Sequence, residues 1–82
     1  MNKYTIQFEK AAVKFLRKQD QPTQKRLLKA ISALPEGTDI KRLQGYDHLY
    51  RLRVGNYRVL YSVHEEVRII DIENIDNRGD VY

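Results

Sequence analysis

The chain contains no cysteine. That excludes disulfide staples, thiolate metal sites and cysteine nucleophiles, and it suits a reducing cytosol. No uninterrupted apolar run approaches the roughly 18 to 20 residues of a membrane span. Met1-Asn2-Lys3-Tyr4 passes directly into an alternating pattern, so the expected location is cytoplasmic, with no membrane partner. A glycine-rich phosphate loop is missing, and His48 and His64 stand isolated beside turns rather than at metal-ligand spacing. No repeat, low-complexity stretch or linker separates a second unit. The 82 residues are therefore read as one domain, 1–82, burying roughly 60 to 65% of its unfolded surface and held by packing alone.

What is present is positive charge. Fifteen lysines and arginines face eleven acids, for a net charge of +4 and an isoelectric point near 9.5. That balance favours polyanions such as nucleic acid or acidic protein partners, although a merely soluble surface has the same composition.

Period separates the elements. Tyr4, Ile6 and Phe8 alternate with polar residues and fall on one side of a first strand. From Lys10 the spacing lengthens: Ala11, Ala12, Phe15 and Leu16 form one helical face, with Lys14, Arg17 and Lys18 turned away. Asp20 is placed to cap a second helix, with Pro22 in its first turn. Leu27, Leu28, Ile31 and Leu34 make its apolar stripe up to Pro35. Lys25, Arg26 and Lys29 form the opposite face, read first as solvated and second as an RNA or partner contact. Residues 40 to 45 show no clear period and are expected to be a loop or a short strand. Three strands follow, Leu49 to Val54, Tyr57 to Val63, and Val67 to about Ile75. Gly55-Asn56 and His64-Glu65-Glu66 supply the reversals. The expected architecture is α+β, in the order β-α-α-β-β-β, with a helical hairpin on one face of a twisted, mainly antiparallel sheet.

The first two of those three strands carry the chemistry. Tyr50-Arg51-Leu52-Arg53-Val54-Gly55-Asn56-Tyr57-Arg58-Val59-Leu60-Tyr61 alternates arginines with apolar residues, so Arg51 and Arg53 share one face while Tyr50, Leu52 and Val54 share the other. If the hairpin register brings Arg58 beside them, three guanidiniums converge, and an anion such as phosphate would relieve their repulsion. The competing reading is ordinary surface pairing with Asp71, Glu73 or Asp80. After the last strand, Arg78 offers a further phosphate contact, and Tyr82 a ring to stack on a base or a hydroxyl to move a proton. His48 ranks below these as a general base, and Glu65 and Glu66 fall in a turn.

The Phe8-Glu9-Lys10-Ala11 entry to the helices, the arginine hairpin and the Asn77-Arg78-Gly79-Asp80-Val81-Tyr82 ending together resemble the RelE/ParE toxin superfamily of type II toxin-antitoxin systems, across the whole chain. The resemblance implies a toxin neutralised by a cognate antitoxin. Its RelE branch enters the A site of the small ribosomal subunit, against ribosomal RNA, and cuts mRNA there. It implies attack of the nucleotide's own 2′-hydroxyl on the adjacent phosphate, with no metal and no cofactor. Operator DNA, reached through the antitoxin complex, is a further implied partner. Carried over by position, Arg58, Arg78 and Tyr82 become catalytic and Arg51 and Arg53 substrate-binding. Similar proteins often have lysine where this chain has Arg51 or Arg53, and arginine does not give up its proton near neutral pH. The general base is thus left open among Tyr82, the ribosome, and catalysis by positioning and charge alone. The alternatives are a ParE-like toxin acting on DNA gyrase and a non-catalytic nucleic-acid-binding module.

Overall fold

The computed structural model describes residues 3–77. Five strands and two helices follow one another as β1 (Thr5–Phe8), α1 (Lys10–Arg17), α2 (Gln21–Ser32), β2 (Ile40–Arg42), β3 (Leu49–Val54), β4 (Tyr57–His64) and β5 (Ile69–Asp76). The strands form one sheet in the order β1-β5-β4-β3-β2. Three of the four neighbouring pairs, from β5 to β2, are antiparallel, while β1 pairs parallel with β5, opposing Ile6 to Ile70 and Phe8 to Ile72. The expected α+β sandwich is present, with one strand more than the sequence order named.

The helical hairpin is locally encoded. Asp20 caps α2 by accepting from the Thr23 backbone N–H at 2.9 Å, which also draws its own carboxyl below the usual aspartate range. Where α1 ends, the Gln24 side chain donates to the Leu16 carbonyl at 2.7 Å and to the Gln19 carbonyl at 3.1 Å. These bonds tie the end of α1 to the first turn of α2. Ala12, Leu27, Ile31 and Leu34 then meet Leu52, Val59, Tyr61, Val63, Ile70, Ile72 and Ile75 in a core that excludes water. Full burial of one such aliphatic side chain contributes roughly 1.5–3 kcal/mol. The burial cost raises the Tyr61 phenol, with a smaller push from Tyr50 stacked 5.6 Å away, up to about 12. Tyr61 is a core residue whose phenol keeps its proton near neutral pH.

Three details sharpen or correct the sequence reading. Residues 40 to 42 form strand β2, paired antiparallel to β3. The pairing partner, rather than local period, makes the strand. Val67, expected at the start of the last strand, is 63% exposed in the turn. Arg68 there takes a positive φ of 57° and β5 starts only at Ile69. Finally, the β4–β5 register shifts between Leu60 and Tyr61, so that Leu60 opposes Asn74 and Tyr61 opposes Ile72. One extra residue, Glu73, is accommodated on β5. Such a bulge switches the alternation, and this is why Ile72 and Ile75, an odd number of residues apart, both reach the core.

Candidate functional site

The helices cover one face of the sheet, and the other face carries the candidate site. On that face the two-residue turn fixes the register of β3 against β4: Arg53 lies directly opposite Arg58, and Arg51 opposite Leu60. Gly55 makes the turn possible with φ of +60°. The convergence of Arg51, Arg53 and Arg58 expected from the sequence is therefore realised. Strand β2 enlarges it, because Lys41 opposes Arg51 and must project from the same face. Lys41 escaped the sequence reading because its orientation depends on a strand pairing that residues 40 to 45 do not advertise.

Each guanidinium has its own surroundings. Arg51 donates to Asp39 at 3.0 Å, and the same residue's backbone carbonyl accepts from the Arg53 N–H at 3.1 Å. Asp39 holds an unusual positive φ of 59°, so one residue in a left-handed conformation braces two successive arginines. Arg58 pairs with Asp76 across β4 and β5, with its Nε 3.4 Å from Oδ1 and its Nη2 3.4 Å from Oδ2. The side chains of Arg51 and Arg58 are each only 18% exposed, which lowers the local dielectric and strengthens their field. Arg53 has no carboxylate partner among the described residues, and its Nε is shielded from water without an acceptor.

Two of the carboxylates the sequence suggested as partners, Asp71 and Glu73, make no ion pair with these arginines. Asp71 opposes Ser62 and Gln7, and Glu73 accepts from the Ser62 hydroxyl at 2.8 Å. Both lie toward β1, away from the arginines, because the bulge and the strand order carry them there. Asp80 lies outside the described residues. Asp39 and Asp76 take the pairing role, each supplied by an element whose position is set only by tertiary pairing.

The β5–β1 half of this face is acidic. Asp71, first through a hydrogen bond and then through its charge, followed by burial and the charge of Glu73, holds the Glu9 carboxyl above the usual glutamate range. Further along β4, the His64 ring nitrogen sits 3.2 Å from the Ser62 hydroxyl and its ring 6.0 Å from that of His48. Six residues of strand separate His64 from Arg58, about 20 Å. His48 thus falls at the end of the sheet remote from the Arg53–Arg58 pair and is not a base for a phosphate held there. Arg78 and Tyr82, the remaining two site residues expected from sequence, lie outside the described residues. No cluster able to hold a metal ion occurs among the described residues. No described helix is long and apolar enough to cross a membrane.

A sheet face on which three arginines and a lysine converge, set on this strand order, can be compared with known proteins. A family model described as the ParE toxin of type II toxin-antitoxin system, parDE, matches residues 6–82. The chain belongs to the RelE/ParE toxin family. Among its relatives this family member is 36% identical to the candidate toxin RelE1 of Methanocaldococcus jannaschii, over 98% of this chain and 96% of that protein. The fold is similar to that of RelE in the RelE–RelB complex of Pyrococcus horikoshii, with a TM-score of 0.81 and 32% identity over 98% of this chain and 99% of that one. A second similar structure is the RelB–RelE antitoxin-toxin complex of Methanococcus jannaschii, with a TM-score of 0.73 and 30% identity over 93% and 94% of the two chains. This RelE/ParE-family chain is thus a toxin homologue of a toxin-antitoxin system in sequence and in fold.

Proposed function

We propose that this toxin is an endoribonuclease that cuts mRNA in the ribosomal A site and is neutralised by a cognate antitoxin. One observation carries the reading: the β3–β4 register opposes Arg53 to Arg58 with Arg51 and Lys41 on the same face. Like charges placed directly opposite destabilise a sheet. A bound phosphodiester removes that penalty.

In this reading the 2′-oxygen attacks the adjacent phosphorus, the bond from phosphorus to the 5′-oxygen breaks, and the products are a 2′,3′-cyclic phosphate and a 5′-hydroxyl. The 2′-proton leaves to a base and the departing 5′-oxygen gains a proton. Arg51 and Arg53 hold the scissile and flanking phosphates. Arg58, joined by Arg78, stabilises the charge that develops on the phosphate oxygens. Tyr82 stacks on a base and keeps the nucleotide in line for attack. Guanidiniums bind and stabilise charge without moving protons, so the base is Tyr82 or a group of the ribosome. The relatives crystallised with RelB support an antitoxin partner for this chain, and the net charge of +4 suits ribosomal RNA. Operator DNA contacted through the antitoxin complex belongs to the same proposal, as does a cytoplasmic location.

Mapping RNA ends on translated messages after induction without antitoxin tests it. Cuts inside codons, present only during translation and lost in Arg58→Ala, are the expected result. A second reading rests on the ParE description of the matching family model: inhibition of DNA gyrase. Intact messages accompanied by DNA damage would establish that one and reject cleavage.

A further inference from the structure

The tip of the β3–β4 hairpin is contacted from the helical layer. Arg26, on the solvent side of α2, reaches across so that its Nη2 occupies the place where a Cβ on Gly55 would stand, with its Cζ 3.1 Å from that position. Gly55 thus serves the turn twice, by its positive φ and by leaving room for a guanidinium. A pocket of about 450 Å³ opens there, lined by Arg26, Gly55, Asn56, Tyr57 and Asn77. Among the described residues its walls hold a guanidinium, two carboxamides and a phenol, and no carboxylate. The Tyr57 ring is steadied by an edge-on contact with Phe15, 6.0 Å between centroids. Among the described residues Arg26 has no ion-pair partner, unlike Arg51 and Arg58.

The pocket lies on the helix side of the hairpin tip, around the edge from the arginine face. Tyr57 immediately precedes Arg58, and Asn77 immediately follows Asp76, its ion-pair partner. Arg53 is two residues from Gly55, about 7 Å along the strand. A nucleic-acid strand held by Arg53 and Arg58 and leaving around the hairpin tip would bring its next backbone phosphate to Arg26. We propose that this pocket is a second phosphate subsite, in which Arg26 grips an RNA phosphodiester while Asn56 and Asn77 donate to its oxygens. The subsite deepens the cleavage reading and rests on it for the identity of the strand. A solvated helix face would leave Arg26 beside Lys25 and Lys29; the close approach to Gly55 takes it away from them and aims it at the site.

The test uses the full chain and a fully 2′-O-methylated oligoribonucleotide, which binds but cannot be cut, with fluorescence anisotropy read across a salt series. Arg26→Ala is expected to weaken binding about tenfold and to reduce the slope of log affinity against log salt by about 0.7, one single-strand phosphate contact. Arg26→Gln keeps the packing on Gly55, guards against a folding defect, and should show the same loss of slope. Arg26→Lys should restore the slope and only part of the affinity, because lysine lacks the guanidinium fork. Affinity and slope unchanged in Arg26→Gln with both the oligonucleotide and ribosomes, or weaker binding with the slope intact, would overturn the subsite. Repeating the series with ribosomes lacking mRNA separates the sources. A loss seen with the free oligonucleotide assigns the phosphate to the message; a loss seen only with ribosomes assigns it to ribosomal RNA. Wild-type protein that cuts nothing on programmed ribosomes would reject the cleavage reading, while the anisotropy still decides on Arg26.

Discussion

The open face of the sheet has two halves of opposite sign. On β2, β3 and β4, Lys41, Arg51, Arg53 and Arg58 converge, with Asp39 beside Arg51 and Asp76 beside Arg58. On β5 and β1, Asp71 and Glu73 crowd Glu9 so closely that Glu9 holds its proton longer than usual. The two halves lie on one sheet and differ in how like charges are tolerated. The acids relieve their repulsion among themselves, by proton and hydrogen-bond sharing. The arginines cannot lose protons and must borrow negative charge, from Asp39, from Asp76, or from a ligand. A sheet face with one acidic half and one half dependent on external anions directs a polyanion to one side and repels it from the other.

Breaking the basic half should have the largest effect. Arg58→Ala is expected to lower the single-turnover cleavage rate on programmed ribosomes by about 10²–10³, the usual cost of one oxyanion-stabilising donor, with an unchanged circular-dichroism spectrum; wild-type rates would remove Arg58 from the site. Arg58→Lys should recover only a small part. Next comes the neutralising carboxylate. Asp39→Asn leaves Arg51 charged and frees it for phosphate, so oligonucleotide affinity should rise about two- to threefold. Asp39 is 51% exposed and exposed pairs are weak, which keeps the gain small. A fall in affinity would instead make Asp39 a brace whose geometry matters more than its charge.

The smallest effect belongs to the acidic half. The raised Glu9 value means that the folded state holds this proton more tightly than the unfolded chain. Its favourable contribution is complete below the ordinary glutamate range and is lost as pH rises through the raised value. At pH 7 the ionised cluster repels, so Glu9→Gln should raise the melting temperature by about 1–2 °C. The two proteins should converge below the ordinary glutamate range. A variant that melts lower at pH 7 would show that the cluster is held together by some attraction the charges do not reveal.

Much of the site was readable in the chain. Gly55-Asn56 between two alternating runs sets a two-residue turn, and that turn sets the register, so the meeting of Arg53 with Arg58 follows from local chemistry. Asp20, Thr23 and Pro22 mark the start of α2 in the same way. Residues 40 to 42 were open, because three residues have too little period to declare a strand before a partner is in place. The choice of Asp39 and Asp76 over Asp71 and Glu73 was unreadable for the same reason. Strand alternation says which face a carboxylate takes, and only the strand order and the bulge say which arginine it meets. Arg78 and Tyr82, legible from the family resemblance, lie outside the described residues.

The chain by itself determined the helical hairpin, the arginine hairpin and its register, since each depends on contacts between residues close in sequence: a cap, a turn, an alternation. Tertiary structure alone decided the parallel docking of β1 on β5, the pairing that turns Lys41 onto the arginine face, the split of that face into basic and acidic halves, and the reach of Arg26 to Gly55. Those outcomes join residues tens of positions apart. They are settled by which buried surfaces fit together, and no local pattern encodes that competition.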